Sequence, residues 1–330
     1  MDGPILECVP NVSEGRDERF IKDLAKLISE QTGIDLLHVD SGYDANRTVY
    51  TFVGSPEAVV DAAYTLIEYC KGKIDMRQHE GSHPRIGAVD VCPLVPMRGL
   101  TLSEAADWAK VLGERVGREL EIPVYLYQAA ASAPHRRNLA RIRKGEYEGL
   151  ASKMAESDWQ PDFGPAVPST DFGAAVIGAR PYLIAYNIDL EPDTPLSVAK
   201  KLAALLRESG LRTKPGLFKG LKAIGWKQHS LGCCQVSTNV VDPDQVNLAN
   251  LYRSCTRLAR AEGYDTSGSQ LIGLIPERYL FMAGLAFDPL ARGERAFQTA
   301  VSGLGLDKRQ PFDINRRILE RAMCRPLGLI

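Results

Sequence analysis

The sequence has almost no surplus of charge: 40 Lys and Arg stand against 41 Asp and Glu, a formal net charge of −1. Such a chain has no overall field to draw it onto nucleic acid or anionic lipid, so any anion must be held by local groups. Long apolar runs are missing too; none approaches the ~18–20 residues of a membrane span. The opening Met1-Asp2-Gly3-Pro4 carries no basic stretch before an apolar one. A cytoplasmic location with no membrane or nucleic-acid partner is therefore expected. Cysteine is sparse and scattered: seven residues, no CxxC, and only Cys233-Cys234 adjacent, which fits reduced thiols better than a disulfide framework. Nucleotide signatures also fail. Gly173 to Gly178 lacks the Lys-Ser/Thr of a phosphate-binding loop, and no G-x-G-x-x-G joins a strand to a helix, so no nucleotide cofactor is implied.

What is present is a chain of 330 residues with 45% hydrophobic and 25% charged residues, enough for two units of roughly 150 residues. Residues 4–10 read as a strand and 17–31 as a helix with Phe20, Ile21, Leu24, Leu27 and Ile28 on one face. A second strand (34–40), a turn (41–46) and an alternating third strand (47–53) make a hairpin. Ser55-Pro56 opens a helix to about Cys70. A polar linker (71–85) then leads into a strand over 89–95. The order βαββαβ is a split βαβ unit of the α/β (α+β) class. A capping box at Thr101-x-x-Glu104 adds a helix, 124–127 a strand, 134–157 a basic helical stretch, and 158–173 an irregular loop. The order recurs as strand 182–190, helix 194–209, strands 221–227 and 232–240, helix 242–263 and strand 270–276, with a helical tail over 294–325. Domains of 1–178 and 179–330 are expected.

Right-handed crossovers make the first two strands of such a unit parallel and the next two antiparallel to them. That brings Asn11, His38, Asp40, Arg47, His79, His83 and Arg85 to one edge of the sheet. Alternation places Ile34, Leu36, His38 and Asp40 on one face, which turns ionisable toward that edge. A buried core histidine at 38 and an Asp40–Arg47 clasp of the hairpin fit the same pattern.

His79-Glu80-Gly81-Ser82-His83 spells the H-E-x-x-H of zinc peptidases, whose chemistry needs both histidines one helical turn apart. Gly81 and Pro84 argue against a helix here, and no metal is expected. A histidine fixed by a following proline, near Asp40, suits general acid–base work, the carboxylate orienting the ring and favouring its charged form. An exposed loop histidine is the alternative.

Several long stretches are familiar: Glu7-Cys8-Val9-Pro10-Asn11-Val12-Ser13-Glu14-Gly15, Asn46-Arg47-Thr48-Val49-Tyr50-Thr51-Phe52-Val53-Gly54, and His83-Pro84-Arg85-Ile86-Gly87-Ala88-Val89-Asp90-Val91-Cys92-Pro93. With Pro161-Asp162-Phe163-Gly164-Pro165, Gly178-Ala179-Arg180, Gln235-Val236-Ser237-Thr238-Asn239 and Gly268-Ser269-Gln270-Leu271, they resemble the formiminotransferase family over about residues 5–325.

The resemblance implies two ferredoxin-like subdomains facing across a folate-binding cleft, and a homodimer. It implies transfer of a formimino group between N-formimidoyl-L-glutamate and tetrahydrofolate in histidine breakdown, giving 5-formimidoyltetrahydrofolate and L-glutamate. Tetrahydrofolate enters as co-substrate. The resemblance makes His83 catalytic and puts folate on Gly164-Pro165-Ala166-Val167-Pro168-Ser169-Thr170-Asp171-Phe172-Gly173, although Ala166 to Phe172 depart from the family's wording. The helical cyclodeaminase domain of the animal members is not in this sequence, so ammonia release is expected to fall to another protein. Asp40 is the expected partner of His83, with Asn11 at the same edge. Arg47, Arg85 and Arg180 are candidates to grip the carboxylates of glutamate and folate. Transfer of a formyl group from N-formylglutamate to give 5-formyltetrahydrofolate, a non-catalytic folate-binding protein, and a zinc hydrolase on His79 and His83 are the rival readings.

Overall fold

The computed structural model describes residues 3–212 and 214–325. The chain divides into two compact units after Pro181. The expected boundary at 178 falls inside a strand that runs on to Ala179.

In the first unit β1 (Ile5–Cys8) and β2 (Asn11–Val12) are two halves of one strand, interrupted at Val9-Pro10 because proline cannot donate to the ladder. α1 (Glu18–Ser29) follows, its start fixed by Asp17, whose side chain accepts from the backbone N–H of Arg19 and Phe20. The hairpin is β3 (Ile34–Gly42) and β4 (Arg47–Gly54). α2 (Pro56–Lys71) is capped by Ser55 and leads through the linker to β5 (Val89–Arg98). α3 (Leu102–Glu119) opens on the expected capping box and β6 (Val124–Gln128) follows it.

β4 and β5 each flank the β1/β2 strand antiparallel, and β3 lies outside β4. This is the ferredoxin-like order, fourth-first-third-second. A strand the sequence did not announce, β7 (Ala175–Ala179), extends it, running parallel to β5 on one side and β6 on the other. All five of its residues are buried, so it carries no alternation to read.

α1, α2 and α3 cover one face, with Leu24, Ile28, Val59, Leu66, Leu112 and Val116 packed on Leu6, Leu36, Phe52 and Leu94. On the other face Ile142, Leu150 and Met154 cover Val91, Tyr125, Tyr127 and Val176. The segment that supplies them is not the helical stretch expected over 134–157. It is broken into a 3-10 turn (Pro134–Arg137), α4 (Leu139–Ile142), α5 (Leu150–Met154) and a second 3-10 turn (Ser157–Trp159). The break falls where Gly145 and Glu146 take positive φ of 93° and 56°.

The face shared by Ile34, Leu36, His38 and Asp40 is also corrected. A β-bulge leaves Leu37 unpaired between Leu36↔Phe52 and His38↔Thr51. Val39 then joins the core beside Tyr50, while His38 and Asp40 turn to the face opposite α1, α2 and α3, because one extra residue inverts a period of two.

The second unit comprises β8 (Ile184–Leu190), α6 (Leu196–Leu206), β9 (Leu221–Gln228), β10 (Cys233–Val240), α7 (Leu248–Ala261) and β11 (Thr266–Ile272). Its sheet order β11-β8-β10-β9 is again fourth-first-third-second. The expected helix from 242 begins only at Leu248, where Asn247 caps it, and the last strand sits four residues earlier than expected. α8 (Glu277–Phe287), α9 (Glu294–Leu304) and the short α10 (Ile314–Arg317) and α11 (Leu319–Met323) complete it.

Candidate active site

The strand register assembles the expected edge. Asn11 faces Val49 and Val91, Asp40 faces Val49, and Gly42 faces Arg47. The linker that carries both histidines is laid over the hairpin turn. Ser82 donates its N–H and its hydroxyl to Asp44 O, His79 Nε2 lies 2.9 Å from Asn46 O, and Asn46 Nδ2 donates to Glu80 O at 3.1 Å. The turn and loop approach so closely that a Cβ on Gly81 would stand 2.3 Å from Ala45 O. Gly81→Ala should therefore push the loop off the hairpin, destabilising the protein by about 1–3 kcal/mol and lowering turnover with it; thermal denaturation beside a rate assay checks both.

Residues 79–83 are non-helical, so His79 and His83 are not a turn apart on one helix. Both ring nitrogens of His79 are used within the protein: Nε2 donates to Asn46 O and Nδ1 accepts from Arg85 Nε at 3.2 Å. This tautomer is assigned from the two partners. Burial, then the neighbouring Arg85 and Arg47, push His79 below the ordinary histidine range.

Arg85, expected to grip substrate, is instead engaged by protein at every nitrogen. Nη1 reaches Glu146 at 3.1 Å and Glu148 at 2.8 Å, and Nη2 reaches Glu148 at 2.6 Å and His79 O at 3.0 Å. The shallow pocket of about 400 Å3 beside it is lined by Glu80, Gly81, Arg85, Gly145, Glu146 and Glu148. Its three carboxylates disfavour an anion there.

Arg47 is different. Its Nη2 donates to Pro84 O at 2.8 Å and to Asp90 Oδ2 at 2.9 Å, while Nε is buried without a hydrogen-bond partner. Asp90, fully buried, also accepts from Ile86 N at 3.1 Å and from Arg143, which grips both carboxylate oxygens through Nε and Nη2. Two guanidinium groups thus share one carboxylate. His83 stands among them. Burial, then repulsion from Arg47 and Arg143, outweigh the attraction of Asp90 and push the half-buried ring down to about 3. The expected charged imidazole is corrected to a neutral one, because burial first, and then a net cationic surrounding, disfavour the charged form. Desolvation likewise brings Arg47 down to about 10. Asp40 lies on the face opposite α1, α2 and α3, 3.6 Å from His38.

The expected folate segment is split. Gly164 takes positive φ and packs its backbone on Ile122 O, near the C-terminus of α3, while Ala166 and Val167 are exposed. Residues 169–173 lie against the start of β5, close to the histidine loop. Asp171 O accepts from Met76 N at 2.7 Å, Phe172 O from Ala88 N at 2.8 Å, and Tyr147 donates to Thr170 O. Phe172 is fully buried in the core and offers no ring to a ligand. Arg180 lies beyond β7, its N–H on Leu94 O, five residues along β5 from the histidine edge. Tyr127, pushed up to about 12 by burial, feels both Arg180 and Arg143.

Sequence reasoning missed Arg143 as a site residue, since its helical reading put no residue of 134–157 at the sheet edge. Asp90 was inside a quoted motif without a role. Among the described residues no cluster of His, Cys, Asp and Glu could hold a metal, and no helix is long and apolar enough to cross a membrane.

In the second unit the quoted Gln235 donates to the buried Asp189 at 2.5 Å, and Arg309 Nε lies 2.7 Å from the same carboxylate. Burial raises Asp189 against the pull of Arg309.

Residues 5–180 match the N-terminal subdomain of the formiminotransferase domain, and 185–324 match the formiminotransferase domain. The chain is 42% identical over 322 residues to the formimidoyltransferase-cyclodeaminase of Rattus norvegicus, covering 96% of this chain and 59% of that protein. It is 39% identical over 276 residues to the glutamate formimidoyltransferase of Streptococcus pyogenes serotype M1, covering 84% of this chain and 90% of that one, and 37% identical over 278 residues to that of Thermoplasma acidophilum. The chain thus spans about three fifths of the length of the bifunctional relatives it matches. With both halves of the domain matched in order across two ferredoxin-like sheets, the chain belongs to the formiminotransferase family.

Proposed function

We propose that this protein is a glutamate formimidoyltransferase, moving a formimino group between N-formimidoyl-L-glutamate and N5 of tetrahydrofolate. The observation that carries the reading is the His83-Pro84 loop segment laid against two guanidinium groups that share Asp90, with Pro84 O accepting from Arg47. The printed names of the relatives support it. In the transfer the N5 lone pair attacks the amidine carbon and a C–N5 bond forms. A neutral His83 takes the N5 proton as the tetrahedral adduct develops, then returns it to the glutamate nitrogen as the old C–N bond breaks. A cationic ring could not do the first of these. Asp40 orients the ring in this reading, Asn11 shares the edge, and residues 164–173 together with Arg180 receive the folate. Alignment of the two substrates adds to catalysis through effective molarities of roughly 10⁵ M or more.

As part of the same proposal the protein is a cytoplasmic homodimer in histidine degradation, acting on small molecules with no metal. The test is tetrahydrofolate-dependent consumption of N-formimidoyl-L-glutamate, run beside N-formylglutamate. Release of glutamate from the formimino donor alone is the expected result. Preference for the formyl donor would move the assignment to 5-formyltetrahydrofolate synthesis, and turnover of neither would leave a folate-binding protein.

A further inference from the structure

Among the described residues the guanidinium groups of Arg47 and Arg143 share Asp90 as their one hydrogen-bonded carboxylate, with Glu146 a further anion acting on Arg47, and the two side chains are only 11% and 17% exposed, so hydrogen-bonded positive charge outnumbers negative there. A buried surplus charge costs stability unless a counter-ion or solvent meets it. The donors show where that anion belongs. Arg143 spends Nε and Nη2 on Asp90, and Arg47 spends Nη2 on Asp90 and Pro84, while its Nε has no hydrogen-bond partner. Among the described residues no protein acceptor meets Nη1 of either group. Both cations bear directly on His83. The neighbouring Arg85 is already met by Glu146 and Glu148, and so competes for no substrate anion.

We propose that Arg47 and Arg143, held in register by Asp90, form the subsite for the α-carboxylate of the glutamate donor. This rests on the formimidoyltransferase reading and deepens it. The chemistry selects the α-carboxylate over the other anions in the reaction. It is borne by the carbon bonded to the nitrogen that loses the formimino group, so fixing it beside His83 places the scissile C–N bond within reach of the ring. The γ-carboxylate is two further carbons away, and the carboxylates of folate are separated from N5 by the whole aminobenzoyl group. Asp90 is a positioning residue here: it touches no substrate, but sets the spacing of the two cations.

The test is calorimetric binding of L-glutamate, glutamine and isoglutamine, in which respectively neither, the γ- and the α-carboxylate is an amide. In the unaltered protein isoglutamine should bind about 10- to 100-fold more weakly than L-glutamate, the usual loss of a charge-assisted contact. Arg143→Gln should weaken L-glutamate and glutamine by a similar factor and leave isoglutamine where it was, with Arg143→Lys recovering part of the loss. A variant that lowers all three equally, or none, overturns the subsite. So does isoglutamine matching L-glutamate in the unaltered protein, which needs no variant to fold, or absence of L-glutamate binding altogether. Loss confined to 5-formyltetrahydrofolate would mean that the arginines hold the folate tail instead. Glutamate bound through Arg143 in a protein that transfers no formimino group would sink the functional proposal and leave the subsite standing.

Discussion

Replacing His83 by Ala is expected to lower turnover about 10²- to 10⁴-fold while glutamate and folate still bind. The loss should fall on kcat, because the ring handles a proton that moves only as the adduct forms and collapses. Near-normal turnover would reject the assignment. His79→Ala should behave differently, costing stability more than rate, since both its ring nitrogens tie the loop together. The pH dependence follows from charge. In the free protein burial, and then Arg47 and Arg143, hold His83 down to about 3, so the acid limb of kcat/KM should lie well below the ordinary histidine value of about 6.5. An anionic donor partly neutralises those cations, so the acid limb of kcat should lie higher. Stability moves with the same group. Above about pH 6.5 the ring is neutral folded or unfolded, and its contribution is complete. As the pH falls from there toward 3, the unfolded chain takes up a proton that the folded site refuses, and stability is lost. His83→Ala should flatten that part of the stability profile.

Asp90→Ala should be the most damaging single change at this site. Asp90 is wholly buried and answers Arg47, Arg143 and the backbone N–H of Ile86. Its removal strands two cations, and breaking a buried ion pair from one side costs about 3–5 kcal/mol. For a unit of this size that is a fall in Tm of about 6–20 °C. Asp90→Asn keeps an acceptor for Ile86 N and should cost less, yet either change removes a carboxylate that raises His83, so the acid limb of kcat/KM should move still lower. A Tm within about 2 °C of the unaltered protein for Asp90→Ala would mean that the cations find another partner.

Much of the fold was legible because its signals are local. Ser55 and Thr101 cap helices where their spacing says they should, and both βαββαβ orders form the topology that handedness demands. The convergence of Asn11, Arg47 and the histidine loop followed from that topology. What escaped depends on longer-range facts. The bulge at Leu37 leaves no mark in an apolar run and inverts His38 and Asp40. β7 is buried throughout and has no period to read. The broken backbone around Gly145 delivers Arg143 to Asp90 and Glu146 to Arg85 from more than fifty residues away, which no alternation or helical stripe can announce. The charge on His83 was misjudged because a nearby carboxylate was weighed without the burial of the ring or Arg143, although Arg47 was expected at the same edge.

The loop that lies over the β3–β4 turn is stitched to it at Asp44, Asn46 and Glu80, and roofed where Pro84 accepts from Arg47. A catalytic loop built this way has little freedom left to surrender, so substrate capture is spared the entropy of ordering it, and free and liganded backbones should superimpose there. Affinity in this protein is accordingly decided by the fit of the ligand, not by the work of folding a lid around it.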